Sequence, residues 1–237
     1  MQIAVGFDFD HTLGIDNKLE RTVCLEIAEK LCALRGRAFD PAAATTHLDD
    51  EIQVVRRGDL PVETALEGWL LAVAGPGDEN VIEAGKFRDA VVARASEFVQ
   101  ALPGVRAMLD ALDGLGVRYA ILSNGWSPLQ EEKARLIDFE APVFVSERIG
   151  AWKPKPEAFA ALVKLFDLPA HDIWYVGDDP ENDCAGARAA GLTSVWFDWE
   201  ARGYPAGVKP PDYTIHALEE LPALLQGRLG EAANRAG

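Results

Sequence analysis

Ile3-Ala4-Val5-Gly6-Phe7-Asp8-Phe9-Asp10-His11-Thr12-Leu13 is the stretch on which the fold of this 237-residue chain turns. Five residues suited to a strand run straight into two carboxylates, Asp8 and Asp10, followed by Thr12. A strand buried on both faces reads as a short continuous apolar run, the signature of a parallel sheet. In open α/β sheets ligands gather beyond the carboxyl ends of the strands, which is where these acids fall. Carboxylates this close repel, and both stay ionised only if a cation or hydrogen bonds hold them. A strand closed by an Asp-rich turn would give the same letters, so the rest of the chain has to decide.

Apolar residues make up 49% of the chain and charged residues 26%, ordinary values for a folded protein. The length supports one large domain or two unequal ones. No run approaches the roughly 18 apolar residues of a membrane span, and an N-terminus with two acids by position 10 does not read as a signal peptide. The chain is therefore expected to be cytoplasmic, with no membrane partner. A net charge of -15 argues against nucleic acid, which wants a basic face. It also means that a phosphate would need local positive charge or a metal to hold it. Cys24, Cys32 and Cys184 are scattered, with no Cys-x-x-Cys, and are expected to be buried reduced thiols.

Working outward, the pattern changes from strand to helix after Leu13. Leu19, Val23, Ile27, Leu31 and Leu34 recur at helical spacing and Gly36 lies just past the end. Further helices are expected over about 49–57, 60–74 and 78–100, punctuated by Gly58-Asp59 and Gly75-Pro76-Gly77. Residues 15–100 thus read as an all-helical insertion, free of strands and large enough for a small domain. Strands are then expected over 117–122, 142–146, 173–176, 193–197 and 213–215. Helices are expected over 105–115, 156–166, 180–190 and 218–229. Ser127-Pro128-Leu129-Gln130 has the form of a capping box, and the tail from Gly230 is expected to fray. Alternating strands and helices imply a parallel sheet covered on both faces.

Four segments place polar residues just after strands. The first is Asp8, Asp10 and Thr12. Ser123-Asn124-Gly125, the second, offers donors to an anion, although ordinary turn chemistry gives the same letters. In the third, Gly150-Ala151-Trp152-Lys153-Pro154-Lys155-Pro156, a lysine is fixed between a turn and a proline-started helix. The fourth is Gly177-Asp178-Asp179-Pro180-Glu181-Asn182-Asp183. Its acids suit Mg²⁺, which takes one or two carboxylates plus water and phosphate oxygens.

Taken together, the four segments resemble the haloacid-dehalogenase-like hydrolase superfamily, over nearly the whole chain and in the family's order. Phe-Asp-Phe-Asp-His-Thr-Leu is similar to its Asp-x-Asp-x-Thr motif, Ser123-Asn124 to its second, Lys153-Pro154 to its third, and Gly177-Asp178 with Asp183 to its fourth. His11 departs from the glycine that relatives commonly carry. The resemblance implies an α/β fold: a Rossmann-like doubly wound parallel sheet, residues 1–14 and 101–237, with an inserted all-helical C1 cap domain, residues 15–100. It also implies that Asp8 is the nucleophile that forms an aspartyl-phosphate, and that Asp10 protonates the leaving alcohol and then activates water. Mg²⁺ would be held by Asp8, the Asp10 backbone carbonyl and Asp178. Thr12, Ser123, Asn124 and Lys153 would bind the phosphoryl group, with Lys153 also acting in catalysis. Asp183 would orient Lys153 or the metal shell, and Asp179 is open between ligand and turn.

The expected activity is hydrolysis of a small-molecule phosphate monoester, because dehalogenases of the superfamily lack the second acid that Asp10 supplies. A phosphomutase, a 2-haloacid dehalogenase and a non-catalytic binding protein are the alternatives. Trp126 and Trp152 adjoin motif residues and read as helix packing or as pocket walls. Arg56, Arg57 and Lys86 read as solvated helix faces that also have the reach to meet an anion. His11 is open between substrate contact and turn, while His47, His171 and His216 read as surface or capping residues. Neither the particular ester nor the oligomeric state is legible.

Overall fold

In the computed structural model, which describes residues 2–236 and side chains as far as position 230, the opening run forms β1 (Ala4–Phe7), buried at every residue. A two-residue strand β2 (Gly14–Ile15) follows, then four helices, α1 (Leu19–Leu34), α2 (Pro41–Arg56), α3 (Val62–Ala74) and α4 (Glu79–Phe98). β3 (Gln100–Ala101) returns antiparallel to β2. Beyond it come α5 (Val105–Gly114), β4 (Arg118–Ser123), α6 (Leu129–Leu136), β5 (Val143–Val145), α7 (Ser146–Ile149) and α8 (Pro156–Phe166). The chain closes with β6 (Ile173–Gly177), α9 (Gly186–Ala189), β7 (Thr193–Phe197), β8 (Tyr213–Ile215) and α10 (Glu220–Ala236).

The large sheet has the order β5-β4-β1-β6-β7-β8, and each of its pairings is parallel. β1 sits between β4 and β6, with Phe7 level with Ile121 on one side and Val176 on the other. Chain order runs outward from β1 in both directions, so the crevice beyond its carboxyl end is the topological switch point. Side chains alternate across the sheet. Val5 and Phe7 join Met108, Leu109, Leu221 and Leu225 on one face, while Ala4 joins Phe159 and Leu162 on the other. Both faces are covered by helices, which is why the run 3–7 carries no polar residue. On the α8 face a Cβ at Gly6 would strike Leu162 and Tyr175, so glycine lets that helix close on the sheet.

The inserted helices have an apolar core of their own around Leu31, Trp69, Leu70 and Phe87. Trp126 and Leu129, from the loop and helix after β4, plug into it. The Trp126 indole donates to Glu20 Oε1 at 2.7 Å, and the Arg88 guanidinium lies 5.0 Å over its ring. Arg88 also pairs with Glu147 at 2.6 Å, and with Glu63. A helical insertion is thus seated on a parallel α/β core.

Several local expectations need correction. α2 begins at Pro41, because the Asp40 carboxylate accepts from the backbone N–H groups of Ala42 and Ala43. Residues 15–100 are not free of strands, since Ile15 pairs with Gln100, and the expected boundaries at 14/15 and 100/101 fall inside this small ribbon. No capping box forms at Ser127: its hydroxyl donates to Glu131 Oε1 at 2.7 Å and α6 starts after Pro128. Residues 180–190 are not one α-helix, but a wide π-type turn (Pro180–Ala185) followed by α9. The last helix runs from Glu220 to Ala236; the side chains of the tail expected to fray lie outside the described residues. The three cysteines are buried and unpaired. Among the described residues no helix is long and apolar enough to cross a membrane.

Candidate active site

β1 ends where the Asp8 amide donates to Val176 O at 2.9 Å, the last rung of the ladder. The chain then turns at once, with the Phe9 carbonyl accepting from the amides of Thr12, Leu13 and Gly14 at 2.9–3.2 Å. Phe9 is fully buried and His11 takes a left-handed conformation, φ 61°. Asp8 and Asp10, two residues apart, therefore flank a core side chain and share one side of the turn.

Lys153 is the hinge of the charge arrangement. Its ammonium is buried and donates to Asp8 Oδ1 at 2.7 Å, Asp183 Oδ1 at 2.8 Å and the Tyr175 hydroxyl at 2.9 Å, which accounts for all three of its protons. Tyr175 in turn donates to Leu122 O at 2.6 Å. Asn124 aims the lysine. Its Oδ1 accepts from Lys153 N at 2.9 Å and from the Ser146 hydroxyl at 2.7 Å, and its Nδ2 donates to Lys153 O at 2.9 Å. The amide expected to hold phosphoryl oxygens is thus engaged in bracing the lysine loop. Ser123 is buried beneath that loop, and the buried Thr12 hydroxyl has no protein partner.

Asp8, Asp178 and Asp183 bring carboxylate oxygens within 4.8 Å of one another. Burial pushes the Asp183 carboxyl well up, against the pull of Lys153, and burial likewise raises Asp8. Asp178 is pushed up to about 6, by burial first and then by the charge of Asp8. Both oxygens of Asp183 already accept a hydrogen bond, Oδ1 from Lys153 and Oδ2 from the Asp179 amide at 3.0 Å. A Cβ at Gly177 would run into its carboxylate, so glycine permits that approach. Asp179 is likewise occupied, accepting from Glu181 N, Asn182 N and Asn182 Nδ2 at the start of its turn. Asp178 binds Arg202 through Oδ2 at 3.1 Å.

Lys153 thus pairs with Asp8 and Asp183, while Asp8, Asp178 and Asp183 together present hard oxygen donors to one point. That set fits a divalent ion of the Mg²⁺ kind, which is bound through one or two carboxylates. Lys153→Met would leave Asp8 and Asp183 without a buried counter-charge. Breaking such a pair removes about 3–5 kcal/mol, and urea unfolding of metal-free protein at pH 7 should show a loss of that order. A loss under about 1 kcal/mol would mean that the acids simply take up protons.

A cavity of about 280 Å³ opens over these groups, with Asp8, Asp10, Lys153 and Asp178 on the core side and Gln53, Arg56 and Arg57 facing them from the end of α2. Arg56 and Arg57 are exposed, as a solvated face requires, and also line this cavity, with Arg57 paired to Asp59. His11 and Asn124 also line it, while Thr12 and Ser123 do not. Trp152 packs beneath Gly58, which turns with φ 76°, and Trp126 lines a smaller recess beside Asp10 and Gln130. Burial works against charge on Asp10, yet Lys133 and Arg56 outweigh it and hold its carboxyl below the usual range. Lys133, Tyr175 and Arg202 carry no motif in the sequence, and Gln130 enters only as the last residue of the expected capping box. The spacing of Gln130 and Lys133, three apart on one helix face, is the one signal that could have joined them.

A central strand ending in paired acids, a buried lysine braced from the neighbouring loop and a helical lid define a capped α/β enzyme with an acidic centre. The chain belongs to the haloacid dehalogenase-like hydrolases, whose family model matches residues 4–191. It is 32% identical over 230 residues to the phosphoserine phosphatase of Thermus thermophilus, covering 86% of this chain and 89% of that one. Identity is also 32%, over 148 residues, to the pyrimidine 5′-nucleotidase YjjG of Escherichia coli. That match takes in 61% of this chain and 65% of the nucleotidase, so the chain spans just under two thirds of YjjG's length. Among solved structures, 2-haloacid dehalogenase from Pseudomonas syringae superposes with a TM-score of 0.71 at 25% identity, over 95% of this chain and 99% of the other. The magnesium-bound hydrolase YfnB of Bacillus subtilis gives 0.67 at 22%, over 94% and 98%.

Proposed function

We propose that the chain is a Mg²⁺-dependent phosphatase acting on a small phosphate monoester through an aspartyl-phosphate on Asp8. The observation that carries this reading is the second acid. Asp10 shares the cavity with Asp8, where an acid has work only if an alkoxide leaves. Curated relatives of several specificities, among them phosphoserine and glyceraldehyde 3-phosphate phosphatases, are in keeping with it.

In this mechanism an Asp8 oxygen attacks phosphorus and the bond from phosphorus to the ester oxygen breaks. The departing oxygen keeps the electron pair and takes a proton from Asp10, which receives that proton from the phosphate monoanion as the substrate binds, since Lys133 and Arg56 favour its ionised form in the free protein. Asp10, now ionised, removes a proton from a water that attacks the same phosphorus; the bond to Asp8 breaks and inorganic phosphate leaves. Lys153 holds the Asp8 carboxylate in place and offsets charge on the phosphoryl oxygens. Arg56 and Arg57 meet the anion from the opposite wall, and the helices over 15–100 exclude water as a lid. Mg²⁺ held by Asp8, the Asp10 carbonyl and Asp178 would neutralise the negative charge that gathers when anion meets anion.

The likeness to a 2-haloacid dehalogenase favours a second reading, in which Asp8 attacks carbon and displaces halide. Both are tested together. The protein is expected to release phosphate from a generic aryl phosphate, to lose that activity with chelator and to regain it with Mg²⁺. Halide release from a 2-chloro acid without metal, and no phosphate release, would replace the first reading by the second.

A further inference from the structure

Lys133, on α6, is fully buried and far from the lysine of the motif in sequence. Its ammonium donates to Asp10 Oδ1 at 3.0 Å and to Asp16 Oδ2 at 2.7 Å. It also lies 6.0 Å from the centre of the Phe9 ring. One turn earlier Gln130, also buried, donates through Nε2 to Asp10 Oδ2 at 3.3 Å. One helix therefore grips both oxygens of a single carboxylate. Burying an ammonium is unfavourable by several kcal/mol unless it is well paired, and a core helix facing only packing neighbours would have no use for one.

The second partner gives the arrangement its meaning. Asp16 lies between β2 and α1, where the chain enters the helical insertion. Its neighbour Asn17 donates to Phe98 O at 2.8 Å, at the end of α4, where the chain leaves the insertion. The ammonium thus joins the reacting loop to the passage by which the helices over 15–100 are attached. An insertion that swings on this passage carries Asp16 with it, and any change in the Asp16–Lys133 bond is felt one bond further on, at Asp10.

We propose that Lys133 and Gln130 are positioning residues that aim the Asp10 carboxyl at the leaving oxygen, and that Asp16 makes this aim depend on the seating of the helical insertion. The proposal rests on the phosphatase reading and on the acid role of Asp10 within it. Nothing in it asks Lys133 to touch substrate.

The test compares kcat/KM for two esters, an aryl phosphate whose phenolate leaves without help and a simple alkyl phosphate whose alkoxide needs a proton. This parameter ends at formation of the aspartyl-phosphate, so it isolates the step in which the proton is given. General acid catalysis supplies about 10²–10⁴-fold; Lys133→Met also lets Asp10 keep its proton more readily, but the loss of aim is expected to dominate, so that the alkyl ester falls at least about tenfold further than the aryl ester. Asp16→Asn should shift the ratio in the same direction by a smaller factor. A loss equal for both esters would mark Lys133 as a packing residue and overturn the inference. An unchanged ratio in Asp16→Asn would overturn the link to the insertion. Should Lys133→Met not fold, Gln130→Met and Asp16→Asn decide by the same ratio. Wild-type protein inert on both esters would overturn the phosphatase reading itself, before any variant is compared.

Discussion

Asp8→Asn is expected to lower turnover by about 10⁶-fold, the scale seen when a covalent nucleophile is removed, while the protein stays folded. An amide of the same shape fills the space, but its nitrogen and oxygen are too weakly nucleophilic to open a phosphate ester. Stability should hold for a reason legible in the site. Burial pushes the Asp8 carboxyl up, so its ionised form is disfavoured in the folded chain. The sign follows from linkage: a carboxyl whose pKa rises on folding lowers stability once pH exceeds its unfolded value. Replacing it by a neutral amide removes that penalty at pH 7, while Lys153 keeps its bonds to Asp183 and Tyr175. Thermal unfolding of metal-free protein should therefore give a Tm equal to or above that of the parent, alongside phosphate release at background. Residual turnover above about 1% of wild type would remove Asp8 as the nucleophile.

How far the sequence carries varies along the chain, and the physical reasons differ. α8, β7 and β8 fall at the expected positions, because each is bounded by a proline or a charge, and α8 and β7 also bury a full apolar stripe. β1 was readable since both of its faces are covered, leaving no polar residue to blur the run. α2 was found only in its second half. Both of its buried residues, Ala44 and Leu48, lie in the first half, but residues 41–47, Pro-Ala-Ala-Ala-Thr-Thr-His, hold no large apolar side chain to repeat at helical spacing, and the helix is announced instead by the Asp40 cap. The pairing of Ile15 with Gln100 joins residues that only the closing of the whole insertion brings together, so no local pattern contains it.

The site divides the same way. Asp8, Asn124 and Asp178 stand just past strand ends, and Lys153 on the loop between α7 and α8; position relative to a strand is what a sequence reader can see. Asn124 nevertheless serves the lysine loop through two hydrogen bonds to the Lys153 backbone, with a third accepted from Ser146, a partnership that no motif letter encodes. Lys133 sits within α6, where a lysine usually reads as a solvated face, and its partner Asp16 is 117 positions away. Arg56 reads as solvated and is exposed, yet it also lines the cavity over the acids. The helix that carries it is turned towards the acids by the packing of α2 on α1 and α3, a tertiary decision rather than a local one.

Asp10→Asn is expected to cost about 10²–10⁴-fold in kcat/KM on alkyl phosphates, the range of a general acid, and less on aryl phosphates. Asparagine preserves shape and can still accept from Lys133 Nζ, the 3.0 Å bond of the parent, so the turn after β1 should not rearrange. What it lacks is a proton to give and a basic oxygen to receive one. The two losses fall on different steps, which makes them separable. On an aryl ester the first step proceeds without an acid, phosphorus reaches Asp8, and the missing base then stalls attack by water. Rapid mixing should therefore show a burst of phenol close to one per active site, followed by slow turnover. With an alkyl ester the block comes earlier and no burst forms. Equal losses on both esters with no burst would leave Asp10 as a structural acid held by α6, and the choice between displacement at phosphorus and at carbon would then rest on Asp8 and Lys153 alone, which both chemistries share.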